Sequence, residues 1–244
     1  MKNLIKWEMK QTLTSKLFIG LSIAFILGSV AFTLTPLLTG SHMGYELFLQ
    51  GLGNTNSLIV LLVGIFAGIH VTGALEGRRI QSAVMAGNSR FQVVLTKLIS
   101  FALSVAVFSI GSLTASSVIA FVGCGFTGLE GSFFSDVIVK ILLYVCIEVS
   151  FAGICFFISL MIKNVGASIA VNLISMLVLN GVGQYLVGQA WAAPILKFTS
   201  LGQTFLLIGD GNPANLVPAV IAAVTGVVFI LVISYLKLRK EELK

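Results

Sequence analysis

One acidic residue, Glu148, stands near the middle of an apolar run at about 138–161. A carboxylate there costs about 2.5–3.5 kcal/mol on membrane-insertion scales. It either lines a substrate path inside a helix bundle or is held protonated in hydrogen bonds between helices. Asn172, Asn180 and Gln184 lie in the next apolar run and fall within about a third of a helix circumference. They suit interhelical hydrogen bonds worth about 0.6–2 kcal/mol each, or contact with a polar solute. His70 closes an earlier run and reads as a helix-contact residue. Cys124, Cys146 and Cys155 are an odd set, and with only His42 and His70 beside them they offer no metal-ligand cluster. They read as small buried side chains. No G-x-x-x-x-G-K-[ST], H-E-x-x-H or G-x-S-x-G occurs, nor paired aspartates within an apolar run. The chain therefore reads as a non-enzyme with no cofactor of its own.

The elements that position these groups follow from composition. Apolar residues make up 57% of the 244, charged residues 10%, and mean hydropathy is +1.05. Soluble domains carry about 25% charged residues, so this chain lacks the polar side chains to coat a water-exposed surface. The reading is an all-α integral membrane protein forming a single domain, 1–244. A span needs about 20 apolar residues, and six segments qualify: about 17–38, 57–75, 98–122, 138–161, 165–188 and 215–236. The first is too long for a cleaved signal peptide and no A-x-A site follows it, so it reads as a retained helix. Lys163 and Asn164 alone separate the fourth and fifth spans, which must form an antiparallel hairpin. Gly64 and Gly68 make a G-x-x-x-G that permits close helix approach. No internal repeat of the secondary-transporter kind is visible.

Charge sets the orientation. Thirteen basic residues fall on one side: Lys2, Lys6, Lys10, Lys16, Arg78, Arg79, Arg90, Lys97, Lys163, Lys237, Arg239, Lys240 and Lys244. The other side has Lys140 and Lys197, with Glu46, Glu130, Asp136 and Asp210. By the positive-inside rule both termini face the cytoplasm. The net charge of +6 is this topology signal; no basic groove interleaved with aromatics suggests nucleic acid. Residues 1–14 read either as a short interfacial helix anchored by Trp7 or as a solvated basic tail. The connection at 189–214 is the longest on the outer side. Its apolar stretches at Leu196–Phe198 and Phe205–Ile208 imply that it dips into the interface or packs on helix ends, before Gly209-Asp210-Gly211-Asn212-Pro213. Pro213 and Pro218 suit the start of the last span.

The most informative connection joins spans two and three. Ile80, Ala83, Val84 and Gly87 fall at i, i+3, i+4 and i+7, one apolar face of a short helix. Gly87-Asn88 is a helix stop, and Ser89 with Gln92 matches a capping box for the next helix. This spacing predicts an amphipathic helix outside the bilayer whose apolar face needs a partner, either lipid headgroups or a groove on another protein.

An acidic residue ending span two (Glu76), a short helix, Ala86-Gly87-Asn88-Ser89-Arg90 and then Lys97 before span three resemble permeases of the type-2 ATP-binding-cassette (ABC) exporters. Architecture carries the resemblance over the whole chain; the residue match is confined to about 75–97, and Arg78-Arg79-Ile80 departs from the Gly-Thr of many members. The resemblance implies a cytoplasmic coupling helix in which Glu76, Arg79, Ile80, Val84, Gly87 and Arg90 dock an ABC ATPase subunit. That partner would bind ATP and magnesium. It also implies a second permease copy or related permease, a plasma-membrane location, and export of a substrate such as an antimicrobial peptide or drug, with Glu148, Asn172, Asn180 and Gln184 as path candidates. Two alternatives remain at this level. The arginines would serve topology and anionic lipid alone, or the chain would be an ATP-independent, proton-coupled carrier or channel using Glu148.

Overall fold

Ser89 and Gln92 illustrate how local chemistry sets the helix boundaries. The Ser89 hydroxyl accepts from the Gln92 backbone N–H at 3.2 Å, and the Gln92 side-chain Oε1 accepts from the Ser89 backbone N–H at 3.1 Å. This capping box satisfies two first-turn donors and starts a 35-residue helix at Arg90. Similarly Ser15 caps the helix from Lys16, and Asn164 caps the helix from Val165.

The computed structural model describes residues 2–40, 43–77, 79–128, 137–189, 191–210 and 216–240. His42, Arg78, Glu130, Asp136, Pro213 and Lys244, named above, lie outside these. Among the described residues the chain is all-helical. Its order is α1 (Lys2–Leu13), α2 (Lys16–Thr39), α3 (Gly44–Ala67), a π-turn (Gly68–Thr72), α4 (Gly73–Glu76), α5 (Arg79–Met85) and α6 (Arg90–Cys124). Then follow α7 (Val139–Met161), α8 (Val165–Val187), α9 (Ala193–Leu196), α10 (Ser200–Asp210) and α11 (Leu216–Lys240).

Six helical stretches are long and apolar enough to cross a membrane: Lys16–Leu38, Gly44–Glu76, Arg90–Cys124, Val139–Met161, Val165–Val187 and Val217–Lys237. The chain is a multi-pass membrane protein. The second span starts at Gly44 and not near 57, and the third at Arg90 and not 98. Gln50, Asn54 and Asn56 break the apolar run of the second span. Its buried face is nevertheless continuous through Leu47, Phe48, Gly51, Leu52 and Thr55.

α3, α6 and α7 form the centre, with α2 against α3 and α6, α11 against α7 and α6, and α8 against α3 and α7. Lipid removes most of the hydrophobic drive between spans, so close packing must hold them. Near the end of the bundle that holds α1 and α5, phenylalanines interlock: Phe18 and Phe25 against Phe108 at 5.2 and 5.0 Å between ring centroids, and Phe66 edge-on to Phe108 at 5.3 Å. Towards the other end Phe48, Leu52, Leu113, Tyr144 and Leu207 make a second cluster. Small residues seat α6 on α3: a Cβ on Gly51 would lie 2.9 Å from Ser116 Cβ, and Thr55 and Ser112 share a hydrogen bond of 2.9 Å.

Candidate functional site

α5 is a two-turn helix between the second and third spans. Gly87 ends it with φ +88°, the left-handed conformation that glycine adopts without strain, and Asn88 Nδ2 donates to Ala83 O at 3.0 Å. Its apolar face is covered from within the chain. Ile80 is buried with Ala74 and Val93 and packs with Leu4 of α1, Leu75, Ala83 and Val84. The expectation of an apolar face awaiting a partner is corrected on this point: Leu4 and Val93 supply the cover. Val84 and Arg90 are half-buried, while Glu76, Arg79 and Gly87 are exposed. The outward face of α5 carries Arg79, Ser82, Ala86 and Met85, the last 85% exposed.

α1 is clamped beside α5 by charge as well as by Leu4. Glu8 and Lys97 are buried and form an ion pair. His70 Nε2 lies 3.9 Å from Glu8 Oε1, and the His70 ring stacks on Phe66 at 5.1 Å. Thr12 and Ser100 share a hydrogen bond of 2.8 Å. A cavity of about 140 Å³ sits over this group, lined by Glu8, Gln11, Thr12, His70, Arg79 and Lys97 among others. α1 thus turns a polar side inward and leaves Trp7 exposed. The sequence reading missed Glu8 because it is the lone acid between two lysine-rich turns, and missed its partner because Lys97 was assigned to a connection.

Of the polar span residues, Asn172 is the best integrated. Its Nδ2 lies 2.7 Å from Ser159 Oγ and 3.4 Å from Gly64 O. Thr72 Oγ1 lies 2.7 Å from Ser159 O and 2.8 Å from Ser168 Oγ. This knot ties α7 and α8 to the π-turn, an element that often marks functional positions inside helices. Gly64 and Gly68 make it possible, as the sequence pattern implied: Cβ atoms there would lie 3.2 Å from Asn172 Cβ and 2.6 Å from Ile169 Cγ1. Asn180 is half-buried and Gln184 exposed, so the three side chains do not converge on one site.

Glu148 is fully buried, and the one polar side chain that interacts with its carboxyl among the described residues is Tyr144. Tyr144, one turn away, commits its hydroxyl to Leu52 O at 2.7 Å. Lys140 is also buried, donating to Tyr45 Oη with its ammonium 4.8 Å from the Tyr45 ring centroid. Of the cysteines only Cys155 is buried; Cys124 is half-buried, and Cys146 is exposed on the outer side of α7, correcting the uniform buried reading.

The long connection after α8 goes deeper than a surface loop. α10 packs against α7, α8, α3 and α11, with Gln203 and Thr204 buried. Leu201 and Phe205 fill the space over Gly183, whose absent Cβ would meet them at 2.7 and 2.5 Å. Leu207 joins the cluster around Tyr144 and Ala219. α9 and α10 therefore form a re-entrant hairpin.

No protein-family model matches the chain, and no curated protein is significantly similar to it.

Proposed function

We propose that the chain is the membrane-spanning permease subunit of an ABC exporter, working with a separate ATPase and a second permease copy or related permease. The observation that carries this reading is α5. A two-turn helix between two spans is anchored to them by buried Ile80 and offers Arg79, Ser82, Ala86 and Met85 outward. A lever needs both features: a rigid attachment to the spans and a free face for whatever drives it. The 13-to-2 charge asymmetry supports a cytoplasmic position for that face and both termini, and the reading assigns the chain to the plasma membrane.

In this mechanism ATP, with magnesium, binds and is hydrolysed in the partner. The chain contributes no catalytic group. Displacement of α5 pulls on α3 through α4 and on α6 through the Ser89 capping box, and α1 follows through Leu4 and the Glu8–Lys97 pair. Glu76 and Arg90 flank the outward face; Ile80 and Val84 hold it in place. The substrate path lies among the polar span groups, of which Glu148, Asn172, Asn180 and Gln184 are candidates.

The test is co-purification from native membranes with ATP and vanadate. Met85→Asp and Ala86→Asp change the outward face alone. The reading expects a stoichiometric ATPase with Walker motifs from the parent chain and its loss from the double variant. Recovery of the chain without any ATPase would refute the reading.

A second reading rests on Glu148, fully buried near the middle of α7 with no basic partner among the described residues. A proton-coupled carrier would use that carboxyl as its proton site. Transport driven by a pH gradient in liposomes without ATP, abolished in Glu148→Gln, would favour it over the exporter.

A further inference from the structure

We propose that the first turn of α10, with Ser150 and Lys197, binds a single-tailed anionic amphiphile: one carboxylate or phosphate on one apolar chain. The depth of α10 is the first ground. Ser150 lies at the centre of α7 and Gly226 near the centre of α11. The position of a Cβ on Gly226 is 3.9 Å from Ser200 Oγ and in contact with Ser150 Oγ. The re-entrant helix therefore starts between the midpoints of two spans. Thr199 caps it, its hydroxyl accepting from the Gly202 amide at 3.2 Å. The N–H groups before Gly202 have no acceptor within the helix. Away from water their partial positive charge counts for more than at a surface.

The second ground is Ser150 itself, 1% exposed with a hydroxyl that has no hydrogen-bond partner among the described residues. It lines a cavity of about 290 Å³ together with Ser200, Ile154, Phe157, Phe229 and Ile233. The polar groups sit at one end. From there the wall runs apolar for two turns of α7, about 10 Å. That volume is at the low end of the roughly 300–1,000 Å³ typical of small-ligand sites, which limits the occupant to one tail.

The third ground is Lys197. Its carbonyl accepts from Gln203 Nε2, and a Cβ on Gly202 would lie 2.6 Å from Leu196 Cβ. Its backbone is thus fixed within one turn of the start of α10, and its exposed side chain, outside the cavity lining, has a flexible four-carbon stem that can swing to a bound head group. A lysine packed this close to the spans is costly against lipid, and an anionic head offsets that cost. Glu148 does not oppose it, since two residues along α7 it points about 160° away from Ser150.

As a binding site this belongs to the chain alone; as the site of the exported substrate it rests on the exporter reading. The purified chain, without ATPase, is placed in phosphatidylcholine nanodiscs and titrated with radiolabelled dodecyl phosphate, with empty nanodiscs as reference. One saturable site per chain is expected, displaced by dodecanoate and not by dodecyltrimethylammonium. Lys197→Met weakens it about 10-fold or more, the worth of a charged hydrogen bond, while Lys197→Arg retains it. Ile233→Trp blocks it by filling the apolar wall. Absence of a saturable component, equal competition by the cation, or an unchanged Lys197→Met would overturn the proposal. Displacement by dioleoylphosphatidic acid would assign the site to a bilayer headgroup and overturn the single-tail assignment. A failure here leaves ATPase co-purification untouched, and the reverse holds.

Discussion

Glu8 and Lys97 face each other across the junction of α1 and α6, both almost excluded from solvent. Removing one partner leaves a buried charge uncompensated, which costs about 3–5 kcal/mol, whereas replacing both by neutral groups of similar size is often neutral or stabilising. Glu8→Gln strands the lysine; Lys97→Met strands the glutamate, with His70 at 3.9 Å and Arg79 lining the same cavity. Since 1.4 kcal/mol is a factor of ten, either change should raise the undocked population of α1 by about two to four orders of magnitude. The pair Glu8→Gln/Lys97→Met should return it close to the parent value. Trp7 on α1 and Trp191 are the two tryptophans. In a Trp191→Phe background Trp7 fluorescence reports α1 alone, and hydrogen exchange at the α1 amides gives the opening free energy. Single variants that exchange like the parent, or a double variant as exposed as the worse single, would refute the idea that this pair holds α1 in place.

The same packing yields further expectations. Ile80→Asp should loosen α1 and α5 together and lower the thermal midpoint, since a buried isoleucine contributes about 2–5 kcal/mol over alanine; Met85→Asp should leave that midpoint unchanged. Gly68→Ala forces a Cβ to 2.6 Å from Ile169 Cγ1 and 3.2 Å from its backbone nitrogen. It should destabilise by about 1–3 kcal/mol, while Gly181→Ala, with open space around it, should be neutral or stabilising by up to about 1 kcal/mol; thermal denaturation in detergent compares the two. Asn172→Leu should cost about 0.6–2 kcal/mol for each interhelical bond it makes, measured the same way. Ser89→Ala removes the cap of α6 and should cost about 1 kcal/mol, with added hydrogen exchange confined to its first turn.

Much of this architecture is legible in the chain because span length, charge bias and capping residues act locally. Apolar run length located all six spans, and Gly87, Asn88, Ser89 and Gln92 marked the end of α5 and the start of α6 correctly. The start of α3 was hidden because burial there follows one helix face, and Gln50, Asn54 and Asn56 interrupt the run without interrupting the face. Pairings between distant elements were not legible. Leu4 covering Ile80, Glu8 meeting Lys97 and Ser200 sharing a cavity with Ser150 each depend on how helices far apart in sequence cross. The polar residues of α8 show the same limit: one helical stripe predicted a common environment for Asn172, Asn180 and Gln184. Along the axis, however, α7 and the π-turn cover only Asn172, and Gln184 is left exposed.

α8 is the least buried of the six spans, with 17% of its most apolar window covered against 61% for α3, α6 and α7. Yet it is fastened twice. Asn172 is bound into the knot with Ser159, and Gly183 is gripped by Leu201 and Phe205. Eleven residues separate the two fastenings, about 16 Å of helix. A rod held at two points this far apart cannot slide freely or spin about its axis; its easy motion is to rock about one fastening and swing the other. A small tilt at the knot, next to the π-turn, becomes a lateral stroke at Leu201, the second residue of α10. Any displacement at the knot would thereby reach the start of α10 enlarged in distance and reduced in force.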